Sequence, residues 1–363
     1  MAAKKSTIYI HIGTIKTGTT SLQHFFHLNR NLLAEKHQLY YPKTPGFKNH
    51  TKLPLYAFDE NVKELRIRHG LDSSEALQRF RKQFKIKFSD EIKPHLAHSK
   101  SILVSSEHLS SRAVKKSEIE QLMSLFEDFD VNFKIIVYLR RQDKMMLSTY
   151  STWVKAGGRW KLNPNAYKNR RYNHLEMLNL WASVIGKGNI IVKVFEKQKM
   201  KGGDLFQDFC QVLSIPSLVD LQIPVNDNLN SSLDEEQIQF LTLFNKFVPV
   251  ITEGKPNTLR GDIVKHLESY SSENKLDISI MEKQKIYSYF EKDNNKIAEQ
   301  YLGSEMTLFD PIPDSQEETK PIRLTADKAV EIAAYLWTKQ QEELTEKSWT
   351  TDLKKSLKKI FRL

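Results

Sequence analysis

The chain has 363 residues, of which 40% are hydrophobic and 27% charged, and its formal net charge is +11. This length allows one large globular domain with an added helical part, or two domains. No run approaches eighteen consecutive apolar residues, so we expect no membrane-spanning helix. The single cysteine, Cys210, excludes an internal disulfide and a cysteine-based metal cluster. It is typical of a reducing compartment, and we expect a cytoplasmic location.

Apolar, β-branched runs at 7–12, 101–105, 133–139 and 189–195 predict buried parallel strands. Helical patterns at 19–37, 117–129, 142–155, 172–185 and 204–213 separate or follow them. Strands that alternate with helices over this length predict an α/β fold, a P-loop-type three-layer α/β/α arrangement around a central parallel sheet. Ligands of such sheets bind at the carboxyl ends of the strands.

Other segments are predicted to be additions to this core. A polar helical insertion is predicted at about 43–99, and a basic loop at 157–171. Beyond 233 the pattern is helical with no convincing strand, at 233–247, 257–270, 279–302 and 326–346. We therefore expect a core at 1–233 and a helical C-terminal extension at 234–363, packed on or beside it.

The segment 8–21, IYIHIGTIKTGTTS, predicts a strand, a loop bounded by Gly13 and Gly18, and the start of a helix. Glycines let the backbone approach an anion closely, and the free N–H groups of a helix start point at it. The glycine spacing fits the nucleotide-triphosphatase pattern GxxxxGK[ST]. The next residue, however, is Thr19, and the lysine lies inside the loop as Lys16.

The string KTGTT at 16–20 resembles the 5′-phosphosulfate loop of sulfotransferases that use 3′-phosphoadenylyl sulfate (PAPS), a resemblance that extends from about residue 7 to 233. It implies that Lys16 stabilises the oxygen that bridges phosphorus and sulfur as this oxygen becomes the leaving group. The resemblance also implies a set of 5′-phosphate-binding residues. They are Gly13, Thr14, Thr17, Gly18, Thr19, Thr20 and Ser21.

A second part of the resemblance lies after the strand at 133–139. In the family, an arginine that follows such a strand and a serine eight residues later bind the 3′-phosphate, and Arg140 and Ser148 match them here. A guanidinium matches the geometry of a phosphate. Arg141 and Thr149 have the same spacing, but the family arginine directly follows the last leucine of the strand, which favours Arg140.

Glu107 and His108 follow the strand at 101–105 and are the candidates for the base that activates the acceptor, with Glu107 preferred. Related carbohydrate sulfotransferases carry a glutamate or histidine there. Glu107 has an alternative role as a helix-start carboxylate that satisfies backbone N–H groups. His50 is either a residue of the acceptor pocket or a surface loop residue.

The segment around Asn230 and Ser232 resembles an Asn-x-Ser-Leu stretch of bacterial sulfotransferases, which predicts closure over the nucleotide. An N-cap with acidic residues in the first helical turn is an equal alternative. Glu196 resembles the glutamate that ends a late strand of the family, and we expect it to be structural.

The acceptor is predicted to be a saccharide or glycolipid. Tyr150, Trp153 and Trp160 are candidates to stack on sugar rings, although aromatic residues at such positions also form core. The basic apolar stripe at 349–363 predicts either contact with a membrane surface or docking on the protein's own core. We expect no nucleic-acid partner and no metal.

The sequence therefore predicts a PAPS-dependent sulfotransferase that acts on a hydroxyl or amine. Two alternatives remain at this point. One is a P-loop kinase or other NTP-dependent enzyme, and the other is a nucleotide-binding module without catalysis.

Overall fold

The computed structural model describes residues 5–59, 61–224, 233–253, 255–270, 275–303, 307–313 and 322–360, with side chains only to 345 in the last range. The chain forms two compact units that interleave along the sequence. The first comprises Met1–Met145, Tyr167–Val225 and Lys285–Ile312, and the second comprises Met146–Ala166, Asn226–Gln284 and Pro313–Leu363. The units therefore do not follow a single boundary after residue 233.

The described strands are β1 (Thr7–His11), β2 (Leu39–Tyr40), β3 (Ser101–Ser105), β4 (Asn132–Leu139), β5 (Ile190–Val194), β6 (Ile251–Thr252) and β7 (Lys255–Pro256). The described helices are α1 (Thr19–Leu28), α2 (Arg30–Lys36), α3 (Lys52–Ala57), α4 (Lys63–Arg68), α5 (Ser74–Ala97), α6 (His108–Arg112), α7 (Lys116–Met123), α8 (Gln142–Lys155), α9 (His174–Ile185), α10 (Leu205–Val212), α11 (Glu235–Phe247), α12 (Ile263–Ser269), α13 (Ile280–Tyr301) and α14 (Ala326–Ile360).

The first unit contains a parallel sheet with the strand order β2-β3-β1-β4-β5. Its strands are rich in isoleucine and valine because both faces are covered by helices, and β-branched side chains pack well on a pleated surface. β1 lies at the centre, hydrogen-bonded to β3 on one side and β4 on the other. The predicted α/β class with a central parallel sheet is confirmed.

Helices cover both faces of this sheet. Side chains from α1, α2 and α10 pack with Leu103, Ile136 and Tyr138 on one face. On the other face, side chains from α3, α5, α7 and α9 pack with alternate residues of the same strands, such as Ile8 and Ile135. This alternation follows from the two-residue period of a strand, and it produces the predicted three layers.

The predicted insertion at 43–99 is part of the core layer. The chain enters it from β2, a two-residue strand that the sequence pattern did not predict, and leaves it into β3, the parallel neighbour of β2. α5 buries Phe84, Phe88 and Ile92 in the core cluster of the sheet. The segment therefore forms the crossover between two parallel strands, as parallel pairing requires.

The second unit is mainly helical and has its own core. Its buried apolar side chains are Val154, Leu233, Ile238, Leu241, Ile263, Leu267 and Ile332. The prediction of no strand beyond 233 was wrong, because β6 and β7 form a short antiparallel pair whose residues are exposed. None of the described helices is long and apolar enough to cross a membrane.

Candidate functional site

The loop between β1 and α1 has an irregular backbone at defined points. Gly13, Lys16 and Gly18 have left-handed φ angles of 71°, 67° and 72°. The hydroxyl of Thr17 donates to the carbonyl of Thr14 at 2.6 Å, and the hydroxyl of Thr14 donates to the carbonyl of Tyr138 in β4 at 2.9 Å. Two threonine side chains therefore fix the loop to itself and to the neighbouring strand.

The atoms around Gly13 and Gly18 also leave no room for a side chain. A Cβ at Gly13 would lie 3.0 Å from Cα of Glu107, and a Cβ at Gly18 would lie 2.4 Å from a methyl carbon of Leu205. Contacts this short exclude a larger residue without movement of the neighbour, and a positive φ adds strain for any L side chain. The backbone of Gly13 is therefore packed directly against Glu107.

α1 begins at Thr19, directly after the loop. Its first turn carries no acidic residue, and no side chain caps its N-terminus among the described residues. Thr19 is buried, Thr20 is exposed and Ser21 is half-buried. The N–H groups of a first helical turn lack intrahelical acceptors and carry partial positive charge, which favours an anion there. The predicted strand, loop and helix are thus all present.

Arg140 follows β4 and contacts the same loop. Its Nη1 donates to the carbonyl of Lys16 at 2.8 Å, and its guanidinium lies 5.8 Å from the ring centre of Phe195. The Nε2–H of the buried His174 donates to the carbonyl of Arg140 at 2.9 Å. Burial lowers the pKa of Arg140 from its usual value. The guanidinium is thus held against the phosphate-type loop by two neighbouring elements.

Arg140 and Arg141 differ in their carboxylate partners. Arg141 donates to both carboxylate oxygens of Asp143, at 2.8 and 2.9 Å. Arg140 has no ion pair with a carboxylate within the part of the chain that the structure describes. The charge of the nearby Asp143 only partly offsets the burial of the Arg140 guanidinium, whose pKa is still lowered, so this position favours a bound anion.

The predicted partner of Arg140 lies in the other unit. Ser148 is on α8, in the part of that helix that belongs to the second unit, and its carbonyl accepts a hydrogen bond from Thr152. Thr149, the alternative partner of Arg141, belongs to the same part of α8. The shared grip of Arg140 and Ser148 on a phosphate stays a prediction.

Glu107 lies at the N-cap position of α6, two residues after the end of β3. Its side chain accepts no hydrogen bond from the first turn of that helix, so the alternative role as a capping carboxylate is not observed. Instead, Nε2 of Gln23 donates to Oε2 of Glu107 at 3.2 Å. The carboxylate thus lies beside Gly13 and is hydrogen-bonded to α1, the helix that follows the loop.

His108 is fixed by Arg112, four residues further along α6. Nε of Arg112 donates to Nδ1 of His108 at 3.2 Å, and Nη2 of Arg112 donates to Glu64 at 2.9 Å. Burial, together with the charge of Arg112, lowers the pKa of His108. A neutral imidazole that accepts at Nδ1 carries its proton on Nε2. His108 therefore presents a hydrogen-bond donor, whereas Glu107 presents an acceptor.

His50 is neither a surface residue nor a pocket residue with a free ring. It is fully buried, its Nδ1 accepts from the backbone N–H of Ser105 at 3.1 Å, and its Nε2–H donates to the carbonyl of Pro42 at 3.1 Å. Burial lowers its pKa to about 3. Both ring nitrogens are occupied, so His50 ties the segment after β2 to the end of β3.

Two residues that the sequence reasoning missed are Gln23 and Arg112. Gln23 is 3% exposed, and it lies on the same side of α1 as Thr19, Leu22 and Phe26, which are all buried. A polar residue within a buried helical stripe is a signal that the sequence does contain. Arg112 follows His108 by four residues, a spacing that places both side chains on one face of a helix, whereas its other partner, Glu64, comes from a separate part of the chain.

The remaining predicted residues divide by location. Asn230 and Ser232 lie outside the described residues. Asp234, which follows them, forms a capping box with Gln237 at the start of α11, as one of the two alternatives expected. Glu196 is 3.6 Å from Lys144 in an ion pair and mostly buried, consistent with a structural role.

The candidate acceptor residues belong to the second unit. Trp160 is 73% exposed and Trp153 is 42% exposed, so neither is a core residue, and the Tyr150 ring lies 6.2 Å from that of Trp153. The side chains of residues 346–363 lie outside the described residues. The predicted basic stripe there can therefore be assigned only to the backbone of α14, which continues to Ile360.

Comparison with known proteins gives little overlap. No family model matches the chain. An uncharacterized protein of Archaeoglobus fulgidus is 26% identical over 125 residues, so the chain spans about a third, 34%, of the length of this relative. A sulfotransferase from Alicyclobacillus acidocaldarius superposes on 59% of this chain and 82% of its own, with 16% identity and a TM-score of 0.36.

Proposed function

We propose that the protein transfers a sulfuryl group from PAPS to a hydroxyl or amine of an acceptor. The observation that carries this proposal is Arg140, a guanidinium that is hydrogen-bonded to the glycine loop and has no carboxylate ion pair among the described residues. PAPS differs from a simple nucleotide because it carries a 3′-phosphate in addition to its 5′-phosphosulfate. Arg140 is the residue proposed to bind that 3′-phosphate. The lysine inside the loop, rather than after its second glycine, supports the same donor.

In this proposal the loop residues bind the donor. The backbone N–H groups from Gly13 to Gly18 and the first turn of α1 hold the 5′-phosphate, with the hydroxyls of Thr19, Thr20 and Ser21. Arg140 binds the 3′-phosphate. Fixed donors at these places lower the barrier by positioning and by neutralising charge.

Glu107 is the proposed base. Its carboxylate takes the proton of the acceptor, whose oxygen or nitrogen then forms a bond to sulfur while the bond from sulfur to the bridging oxygen breaks. Lys16 stabilises the charge on that oxygen, and the product is adenosine 3′,5′-bisphosphate. His108, with its proton on Nε2, is suited to donate a hydrogen bond to the acceptor rather than to take its proton.

The acceptor class is proposed to be a saccharide or glycolipid, since exposed tryptophans such as Trp160 offer flat faces for sugar rings. Action at the cytoplasmic surface of a membrane, through residues 349–363, belongs to the same proposal. Incubation with ³⁵S-labelled PAPS and defined glycans, followed by identification of the labelled product, tests the acceptor class.

The donor is tested by thermal shift. We expect adenosine 3′,5′-bisphosphate to raise the Tm of the protein. At a concentration of 100 times its Kd, the bisphosphate should increase the free energy of unfolding by about 2.7 kcal/mol. ATP with Mg²⁺ should have a smaller effect. Stabilisation by ATP with Mg²⁺ alone would favour the NTP-dependent alternative, and binding without transfer to any acceptor would favour a non-catalytic module.

A further inference from the structure

A chain of buried polar groups connects β1, β3 and α1 beneath Glu107. Nδ1 of His11 lies 2.8 Å from Oγ of Ser105, and Nε2 of Gln23 lies 3.3 Å from the same Oγ. Nε2 of Gln23 also lies 3.2 Å from Oε2 of Glu107. His11, Ser105 and Gln23 are at most 3% exposed, so the contacts among these three are buried, whereas the contact of Gln23 with Glu107 is partly buried.

The orientation of the Gln23 amide follows from its partners. Its nitrogen faces a carboxylate oxygen of Glu107 as well as Oγ and the carbonyl oxygen of Ser105, and the carboxylate and carbonyl can only accept. Turning the amide over would place its oxygen against these two oxygens. The NH₂ group of Gln23 is therefore the donor.

His11 adds no charge to this chain. Burial lowers its pKa to about 3, so the ring is neutral near pH 7. The ring packs edge-on against Phe209 at 4.9 Å, which limits its rotation. Ser105, held by His11 and by the backbone of the strand, gives the amide of Gln23 a fixed second acceptor. The amide is thereby aimed at Glu107 by the sheet itself.

We infer that Gln23 is a positioning residue for Glu107, an inference that rests on the proposed function. Its NH₂ group holds Oε2, and Oε1, which has no donor among the described residues, is the oxygen that takes the acceptor's proton. Gln23 lies four residues after Thr19 on the helix that begins at the donor loop. Gln23 thus connects the helix that begins at the donor loop with the carboxylate of the proposed base.

The experiment is a double-mutant cycle between Gln23→Met and Glu107→Gln. In the wild-type background, Gln23→Met should lower kcat about 10- to 100-fold, as expected when a catalytic group is misplaced by about 1 Å. KM for PAPS and the affinity for adenosine 3′,5′-bisphosphate should stay unchanged. In the Glu107→Gln background the same substitution should change kcat less than about twofold, since the base is already absent.

The matched control is Asn29→Leu. Asn29 is also a buried amide of α1, at the C-cap, where it bonds to the carbonyls of Phe25 and Gln222. Asn29→Leu should lower Tm with no coupling to Glu107→Gln. If Gln23→Met does not fold, Ser105→Ala tests the same chain, because it removes only the hydroxyl that fixes the amide. A smaller kcat loss that disappears in the Glu107→Gln background is expected there.

Equal losses from Gln23→Met in both backgrounds, or a loss confined to PAPS affinity, would overturn the positioning role. Wild-type protein that binds no adenosine 3′,5′-bisphosphate would overturn the proposed function instead, and the inference with it. Binding and Glu107-dependent turnover that persist in the wild type, with no effect of Gln23→Met, would refute the inference alone.

Discussion

The two sides of the glycine loop are built differently. On the β4 side, the side chains of Arg140 and Thr14 donate to backbone carbonyls, those of Lys16 and Tyr138, and each pair is 124 positions apart in the sequence. On the β3 side, Glu107 and His108 are held by side chains from α1 and α6, and α6 is in turn bonded to α4. The acceptors on the β4 side are therefore backbone carbonyls, whereas the partners on the β3 side are side chains.

This difference suggests separate roles. Backbone carbonyls and N–H groups cannot be changed by substitution, which suits a constant donor. Side-chain contacts from several elements can be exchanged one at a time, so substitution can alter the β3 side. We therefore expect substitutions on the β4 side to change donor binding and substitutions on the β3 side to change proton removal.

The largest expected effect is on the β3 side. Glu107→Gln should lower kcat about 10²- to 10⁴-fold, the usual contribution of a general base, with the affinity for adenosine 3′,5′-bisphosphate unchanged. Steady-state kinetics and the thermal shift measure the two quantities. Glu196→Gln is the control, a carboxylate just after β5 that is paired with Lys144. A similar loss of kcat in Glu107→Gln and Glu196→Gln would contradict the role of Glu107 as the base.

Lys16→Met should lower kcat about 10²- to 10³-fold, because one charged donor to the leaving oxygen is lost. Lys134→Met is the matched control. That lysine lies towards the amino end of β4, where its Nζ donates to the carbonyl of Gly188 at 3.0 Å. Single-turnover transfer from labelled PAPS measures both. Retention of full activity by Lys16→Met would contradict the role given to the loop.

Arg140→Lys should weaken binding of adenosine 3′,5′-bisphosphate about 10- to 100-fold, since a bidentate guanidinium is replaced by a single ammonium. Binding of adenosine 5′-phosphate should change little, which titration calorimetry can show. Arg141→Lys serves as the comparison, because Arg141 is already bonded to Asp143. If Arg141→Lys, rather than Arg140→Lys, loses the preference for adenosine 3′,5′-bisphosphate over adenosine 5′-phosphate, then Arg141 is the arginine that binds the 3′-phosphate.

The smallest expected effect is a change in how the free energy of unfolding depends on pH. Burial lowers the pKa of His11 and His50 to about 3 and of His174 to about 4, against about 6.5 in the unfolded chain. Between these values the unfolded chain binds protons that the folded state does not, so stability is present above pH ~6.5 and falls on acidification. Each group contributes a slope of about 1.4 kcal/mol per pH unit. Denaturant titrations should show a smaller slope for His50→Gln, and an unchanged slope would refute the assignment.

The sequence predicted the parts of the molecule that depend on local pattern. The strands at 101–105 and 133–139, the helix at 142–155 and the loop at Gly13–Gly18 were recognisable, because periodicity and glycine spacing report local backbone geometry. The two-residue strand β2 was not, since so short a run has no period of its own. Its existence depends on pairing with β3.

The candidate site was predicted in the same uneven way. Arg140 and Glu107 became candidates because each follows a strand that could be predicted, and their roles stay predictions. The contacts of His50 with Ser105 and of Arg112 with Glu64 could not be predicted, because only tertiary packing brings these separate segments together. Long-range partners of this kind leave no spacing that a single sequence can reveal.

The central place of β1 has a metric consequence. β3 and β4 lie on either side of it, and neighbouring strands are about 4.8 Å apart, so the backbone ends that carry Glu107 and Arg140 are separated by about two strand spacings, or roughly 10 Å. Hydrogen bonds of the sheet set this interval. In the proposed reaction, this interval sets the distance between the strand end that precedes the base and the strand end that precedes the 3′-phosphate-binding arginine.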